Sequence, residues 1–203
     1  MTAVDCVVLL GAYLLGSVLF GVVLVRAVKG VDPREKGSGN PGATNVLRLA
    51  GKGVGAAALL LDAGKGGAAV LLAQATTPVG SALPAAAAVA AVLGHVFPVF
   101  YRFRGGKGVA TALGGFLVLS FPPVVAALAV FLGVLGVFRF VSLASMVAAA
   151  SFVPVSMAWG EPRTVSGAAV VIGLLIVARH HENISRLRRG VEPRLGDRGS
   201  GHG

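Results

Sequence analysis

The 203-residue chain has a single cysteine, few charged residues and few acids. Cys6 alone can close no intramolecular disulfide and build no cysteine-based metal cage, and within the first apolar segment it reads as a small core residue. Charged residues make up 13% of the chain against roughly 25% in an ordinary soluble domain, while 55% is hydrophobic. That leaves too little charge for a water-soluble fold. A small-residue cleavage site followed by a soluble domain is also missing, so the first hydrophobic stretch reads as a retained span and not as a removed signal. A Walker P-loop is excluded, because Lys107 is followed by Gly108 where that motif requires Ser or Thr at once. So is a His-x4-Asp pair of the acyl-CoA type: the fifth residues after His95, His180 and His181 are Phe100, Ser185 and Arg186. His180 and His181 have no third ligand at a suitable spacing and make no metal site by themselves.

What is present is oil, in runs long enough to cross a bilayer as helices. Seven apolar segments can be marked, at residues 4–28, 53–75, 83–101, 109–119, 124–138, 141–159 and 165–178. The fourth and fifth are parted by "SFPP", whose paired prolines stop a helix. The expected fold is therefore all-α, one polytopic membrane domain over 1–203 with about seven transmembrane helices, its last stretch from 190 being a flexible cytoplasmic tail. The 18 Lys and Arg against 8 Asp and Glu set the orientation. With the N-terminus out and the C-terminus in, only Arg163 falls in an outer loop and Lys65 within a span, as the positive-inside rule requires. The basic excess thus reads as topology, and no nucleic-acid partner is expected.

That orientation puts three polar, glycine-bearing, cationic segments on one face. The first is "GSGNPGATNVLR", where glycines can take positive φ and turn successive amides toward an anion. Ser38, Asn40, Thr44 and Asn45 add neutral donors, and Arg48 a planar fork suited to phosphate. A plainer reading is a turn before a helix, with Thr44 or Asn45 as its cap. In the second segment, "FRGGKGVAT", Lys107 stands among Gly105, Gly106 and Gly108 at the start of a helix, an arrangement that can bind phosphate through amides, dipole and ammonium together. In the third, "RHHENISRLRRGVE", His180 and Asn183 are three apart and share a helix face, whereas His181 and Glu182 point to solvent. A histidine there can act as a general base or donate to an anionic oxygen. Asp62 and Lys65 lie inside the second span, at i and i+3, and read as a self-neutralising structural pair supporting the loops. His95 reads as a buried, hydrogen-bonded core histidine.

Taken in order on one side of a seven-span chain, these three segments resemble the bacterial acyl-phosphate:glycerol-3-phosphate acyltransferase family, and the resemblance covers essentially the whole chain, "LLLDAGKG" of the second span included. It implies acyl transfer from acyl phosphate to the sn-1 hydroxyl of glycerol 3-phosphate, at the cytoplasmic face of the bacterial inner membrane, by a monomer, with no metal and no cofactor called for. It further implies that Ser38 and Arg48 are functional, that Gly105, Gly106, Lys107 and Gly108 form a phosphate-binding loop, that His180 and Asn183 are catalytic, and that Glu192 is structural. Whether His180 or a substrate phosphate takes the hydroxyl proton is left open by the residues. The alternative from another class is a membrane transporter or channel for phosphorylated metabolites. Against it, the polar residues gather at one face instead of lining a path at mid-membrane, and no internal repeat is evident.

Overall fold

The computed structural model describes residues 1–196, and everything in it that is regular is helical. In chain order the helices are α1 (Ala3–Gly16), α2 (Phe20–Lys29), α3 (Ala43–Ala50), α4 (Lys52–Thr76), α5 (Leu83–Val96), α6 (Val109–Leu119), α7 (Phe121–Phe138), α8 (Val141–Ala158), α9 (Arg163–Arg179) and α10 (His181–Arg188). All seven apolar segments are helical, although the first is divided between α1 and α2 and the third ends in a separate 3-10 turn at Val99–Tyr101. By length and composition, however, five qualify as complete crossings among the described residues, or six if α9 and α10, bent by 53°, are taken together. The shortfall is α6. Its 11 residues, at about 1.5 Å each, cover roughly half of a hydrocarbon core about 30 Å thick.

Two close helix crossings fix this bundle, and both depend on glycine having no side chain. A Cβ on Gly66 of α4 would sit 2.0 Å from the Thr111 carbonyl of α6, and one on Gly114 of α6 would sit 1.8 Å from the Ala63 carbonyl. The same reciprocal fit joins α1 to α5 through Gly16 and Gly94. In lipid, helices gain little from hiding apolar surface and associate by close packing of small residues. Short α6 is thereby anchored along α4, which fixes the loop that precedes it. Its far end turns into α7 through Ser120, with the two prolines in the first turn of α7, where a missing N–H costs nothing.

The first span, expected as one helix, is broken at residues 17–19. A break inside a membrane leaves backbone groups needing partners, and it is tolerated only where protein supplies them. Here Lys65 Nζ donates to the Val18 carbonyl at 2.5 Å, and Ser17 Oγ donates to the Tyr13 carbonyl at 2.9 Å. Lys65 also pairs with Asp62 at 2.8 Å, and both side chains are buried. The pair read as self-neutralising therefore has a further structural use: it satisfies the broken helix.

The tail expected to be loose from 190 is held at its start. Leu195 N donates to the Arg139 carbonyl at 2.7 Å, and Arg139 Nη2 donates back to the Leu195 carbonyl at 2.8 Å. Residues 197–203 lie outside the described residues.

Candidate active site

All three polar segments meet at one end of the bundle, around a cleft of about 860 Å³. From the first segment Ser38, Asn40, Asn45 and Arg48 line it; from the second, Lys107 and Gly108; from the third, His180, Asn183 and Glu192. Asp62 and His95 border it as well. Gly105 and Gly106 do not.

The first loop is shaped from within by one side chain. Asn45 Nδ2 donates to the carbonyls of Pro33, Lys36 and Asn40 at 2.9, 3.1 and 3.0 Å, and its Oδ1 accepts from Ser38 N at 3.0 Å. Asn45, expected to offer its amide to a phosphate, uses that amide to hold the loop together. Neither it nor Thr44 caps α3; that place belongs to Gly42, whose N–H donates to Asn40 Oδ1 at 2.8 Å. The turn needs glycine at 37 and 39, with φ of +61° and +69°. Ser38 is left exposed between them, and Arg48 is exposed in the last turn of α3. The loop is tied to the second one by Arg34, whose guanidinium donates to Asp32 Oδ2 at 2.7 Å and to the carbonyls of Tyr101 and Arg104 at 3.3 Å each. The Arg34 hydrogen bond holds the Asp32 carboxyl down at about 2.

The second loop has a different support. Gly106 N donates to the His95 carbonyl at 3.0 Å, and a Cβ on Gly106 would lie 2.2 Å from His95 Nε2. A Cβ on Gly105 would strike the same carbonyl at 2.1 Å. These two glycines, expected to face an anion, face the buried His95 instead. His95 Nδ1 accepts from Lys65 Nζ at 3.0 Å and lies 3.7 Å from Asp62 Oδ1. Histidine, lysine and aspartate so form one buried cluster beneath the loop. Only Lys107 and Gly108 are turned to the cleft.

The third segment supplies a connected polar chain. Lys107 Nζ donates to Asn183 Oδ1, and Asn183 Nδ2 donates to Glu192 Oε1 at 2.6 Å. Glu192 also accepts from Ser142 Oγ at 2.6 Å and from Arg186 Nε at 2.7 Å. Burial would raise its carboxyl, but these donors keep it below the usual range. Glu192 is therefore the hub that orients Asn183. Ser142 and Arg186 carry no distinguishing sequence signal: Ser142 follows a loop with no glycine motif, and Arg186 is one of several tail cations.

Burial, with a lesser contribution from nearby Arg186, lowers the Lys107 ammonium to about 8. Burial and then the Lys107 charge bring His180 to about 4, so its ring is neutral near pH 7. His180 Nδ1 lies 2.7 Å from the Ile176 carbonyl, which can only accept. The proton is hence on Nδ1, and Nε2 is the acceptor. His181 and Glu182 are exposed, as the sequence implied. Among the described residues no three His, Cys, Asp or Glu side chains gather as metal ligands would.

Below the cleft lies an apolar pocket of about 230 Å³ between α6, α7, α8 and α9. Leu59, Val109, Ala110, Phe131 and Ser145 border both spaces, so the two adjoin. A cationic, donor-rich cleft beside an apolar pocket suits an amphiphile with an anionic head.

Comparison with known proteins gives a consistent picture. The glycerol-3-phosphate acyltransferase family model matches residues 6–190. The glycerol-3-phosphate acyltransferase of Syntrophotalea carbinolica is 49% identical over 190 residues, covering 93% of this chain and 96% of the relative. That of Halorhodospira halophila is 47% identical over 199 residues, covering 97% and 99%. Among solved structures, the glycerol 3-phosphate form of PlsY (YgiH), an integral membrane glycerol 3-phosphate acyltransferase, superposes with a TM-score of 0.91 at 44% identity over 96% of each chain. Its lysophosphatidic acid form gives 0.89 at 43% identity, again over 96% of each.

Proposed function

Since the chain belongs to the glycerol-3-phosphate acyltransferase family, we propose that it transfers a fatty acyl group from acyl phosphate to the sn-1 hydroxyl of glycerol 3-phosphate, giving lysophosphatidic acid and phosphate, the first step of phospholipid synthesis. The observation that carries this reading is that a cationic cleft adjoins an apolar pocket in one integral membrane chain. Both substrates bear phosphate, and Arg48, Lys107 and the exposed Ser38 are positioned to receive it. The acyl tail occupies the pocket.

In the reaction, the sn-1 oxygen attacks the acyl carbonyl carbon, and the bond from that carbon to the phosphate oxygen breaks with its electron pair on phosphate. Phosphate leaves readily from such a mixed anhydride, so positioning and charge stabilisation carry the step. The hydroxyl proton has two possible acceptors, His180 and a substrate phosphate. His180 Nε2 is an acceptor, but imidazolium formation is opposed by burial and by Lys107. On this reading the proton ends on a phosphate oxygen, with His180 orienting the hydroxyl and Asn183 holding Lys107. Lys107 neutralises the charge that develops on phosphate. Ser38 acts as a phosphate ligand and not as a nucleophile.

The segregation of cations supports a bacterial inner-membrane protein with N-terminus out, C-terminus in and the cleft cytoplasmic. All three polar segments that line the cleft come from one chain, so we propose that it works as a monomer. The transporter alternative finds no polar continuation, since the space beneath the cleft is lined by apolar side chains apart from Ser145.

The test is direct: purified protein with radiolabelled glycerol 3-phosphate, offered palmitoyl phosphate, palmitoyl-CoA or a palmitoyl carrier-protein thioester. Lysophosphatidic acid should form from the acyl phosphate without added metal and be insensitive to EDTA. Equal rates with the thioesters would overturn the choice of donor.

A further inference from the structure

We propose that the ring pair Phe116–Phe152 at the closed end of the apolar pocket sets the length of the acyl chain the enzyme prefers. This rests on the reading of the pocket as the acyl site and adds what limits it.

Four helices line the pocket over the same depth. α6 contributes from Val109 down to Phe116, and α8 from Ser145 down to Phe152. Running the opposite way, α7 contributes from Phe131 to Val124 and α9 from Ile176 to Ala169. Each stretch is eight residues of helix, and its seven steps of about 1.5 Å span about 10 Å. An extended alkyl chain, with C–C bonds of about 1.5 Å in zigzag, advances about 1.25 Å per carbon. The pocket then takes roughly the last eight carbons of a tail whose upper part lies along the cleft edge.

Its sides alternate Leu113, Leu128 and Ile172 with small residues, and both phenylalanines stand at its far end, beside Val124 and Ala169. Ala112, Ala148, Ala149 and Gly173 leave the space open along the sides. At the end the two phenylalanine rings meet with centroids 4.4 Å apart, and the residues are only 5% and 6% exposed. Just past them, Ser120 Oγ donates to Glu161 Oε1 at 2.8 Å, tying the α6–α7 corner to the α8–α9 connection. The floor is braced. Each methylene that enters the pocket adds packing contacts and should improve kcat/KM until the terminal methyl reaches the rings. A longer chain must then bend or leave its end outside.

The experiment measures kcat/KM for a series of saturated acyl phosphates differing by two carbons. Phe152→Ala deepens the pocket and should move the optimum to chains longer by roughly two to four carbons. Because that change can weaken folding, Gly173→Leu provides the opposite arm. A Cβ at 173 meets Ala149 O at 3.4 Å and Val153 Cγ2 at 3.9 Å, ordinary contacts, and the remaining side chain would enter the pocket about one turn of helix below its mouth. The optimum should move to shorter chains. An unchanged profile in Gly173→Leu overturns the pocket as the site of the tail. A shift there, with no shift in a folded Phe152→Ala or Phe116→Leu, overturns the rings as the ruler. If the unmodified chain transfers no acyl group from any donor, it is the acyltransferase reading that fails.

Discussion

The two glycine-bearing loops that face each other across the cleft look alike in sequence and are built on opposite principles. In the first, glycine supplies backbone freedom: Gly37 and Gly39 take left-handed φ, and the side chain of Asn45 fills the turn they create. In the second, Gly105 and Gly106 supply absence of bulk, letting the backbone lie against His95. Only Gly108, with φ of +81°, resembles the glycines of the first loop. The first loop is organised by a neutral amide inside itself, the second by a buried charge cluster in helices that belong to the membrane. Similar composition can therefore shape two loops of one cleft by unrelated means.

The sharpest way to break this contrast is Gly106→Ala. Its methyl group would fall 2.2 Å from a ring that cannot swing aside, because His95 is held by Lys65 and packed to 4% exposure. Overpacking costs typically about 1–3 kcal/mol, and disturbing a buried ion cluster adds to that. Activity should fall by about 100-fold or more, together with Tm of the detergent-solubilised protein. A pure rise in KM for glycerol 3-phosphate at unchanged Tm would mean that Gly106 faces the anion after all, and the contrast would collapse.

That substitution also marks the limit of what the sequence discloses. Seven apolar segments, three cationic loops at one end and a neutralised Asp62–Lys65 pair can each be read from residue type, spacing and charge. The convergence of His180, Asn183, Lys107 and Arg48 on one cleft follows from topology. What residue type cannot disclose is which side of a loop touches what. Gly106 meets His95 from another element, Asn45 spends its amide on Pro33 and Lys36, and Glu192 meets Ser142 fifty residues away. The break at 17–19 is equally hidden, since its stabilising partner is Lys65, forty-seven positions on from Val18. All of these are tertiary contacts with no local periodicity to announce them.

A smaller effect separates the loops by pH. Lys107 of the second loop titrates at about 8 in the free protein because burial disfavours its charge. Above that pH the ammonium is lost, so kcat/KM should fall by up to about tenfold per pH unit, the free-enzyme profile reporting this group. Glycerol 3-phosphate is already a dianion there, its second pKa being about 6, so the substrate does not cause the decline. Lys107→Arg keeps its charge throughout and should flatten the falling limb even if its plateau is lower. His180, lowered to about 4, should give no break between pH 6 and 9. A falling limb that survives Lys107→Arg would transfer the titration to another group.

The smallest effects lie in the first loop, where two arginines share one carboxylate. Arg26 bonds Asp32 at 2.7 Å, but its side chain is 54% exposed, and an exposed pair contributes about 0–1 kcal/mol. Arg34 reaches the same Asp32 oxygen at 2.7 Å with its side chain 21% exposed, stacks its guanidinium 5.0 Å from the centre of the Tyr101 ring and bonds two carbonyls of the second loop. Arg26→Ala should therefore leave KM for glycerol 3-phosphate almost unchanged. Arg34→Ala, which unties the loops from one another, should raise KM by about three- to tenfold while kcat changes less, and Arg34→Lys should not restore it, since lysine has no planar fork. The pH behaviour distinguishes this from the Lys107 effect. Asp32 has a folded pKa depressed to about 2, so its ionic contribution is fully present above the unfolded value near 3.8 and is lost only as pH falls toward 2. The Arg34→Ala defect should consequently be constant from pH 6 to 9. Equal defects in Arg26→Ala and Arg34→Ala would show that only the charge on Asp32 matters, and that the first loop is not held to the second through Arg34.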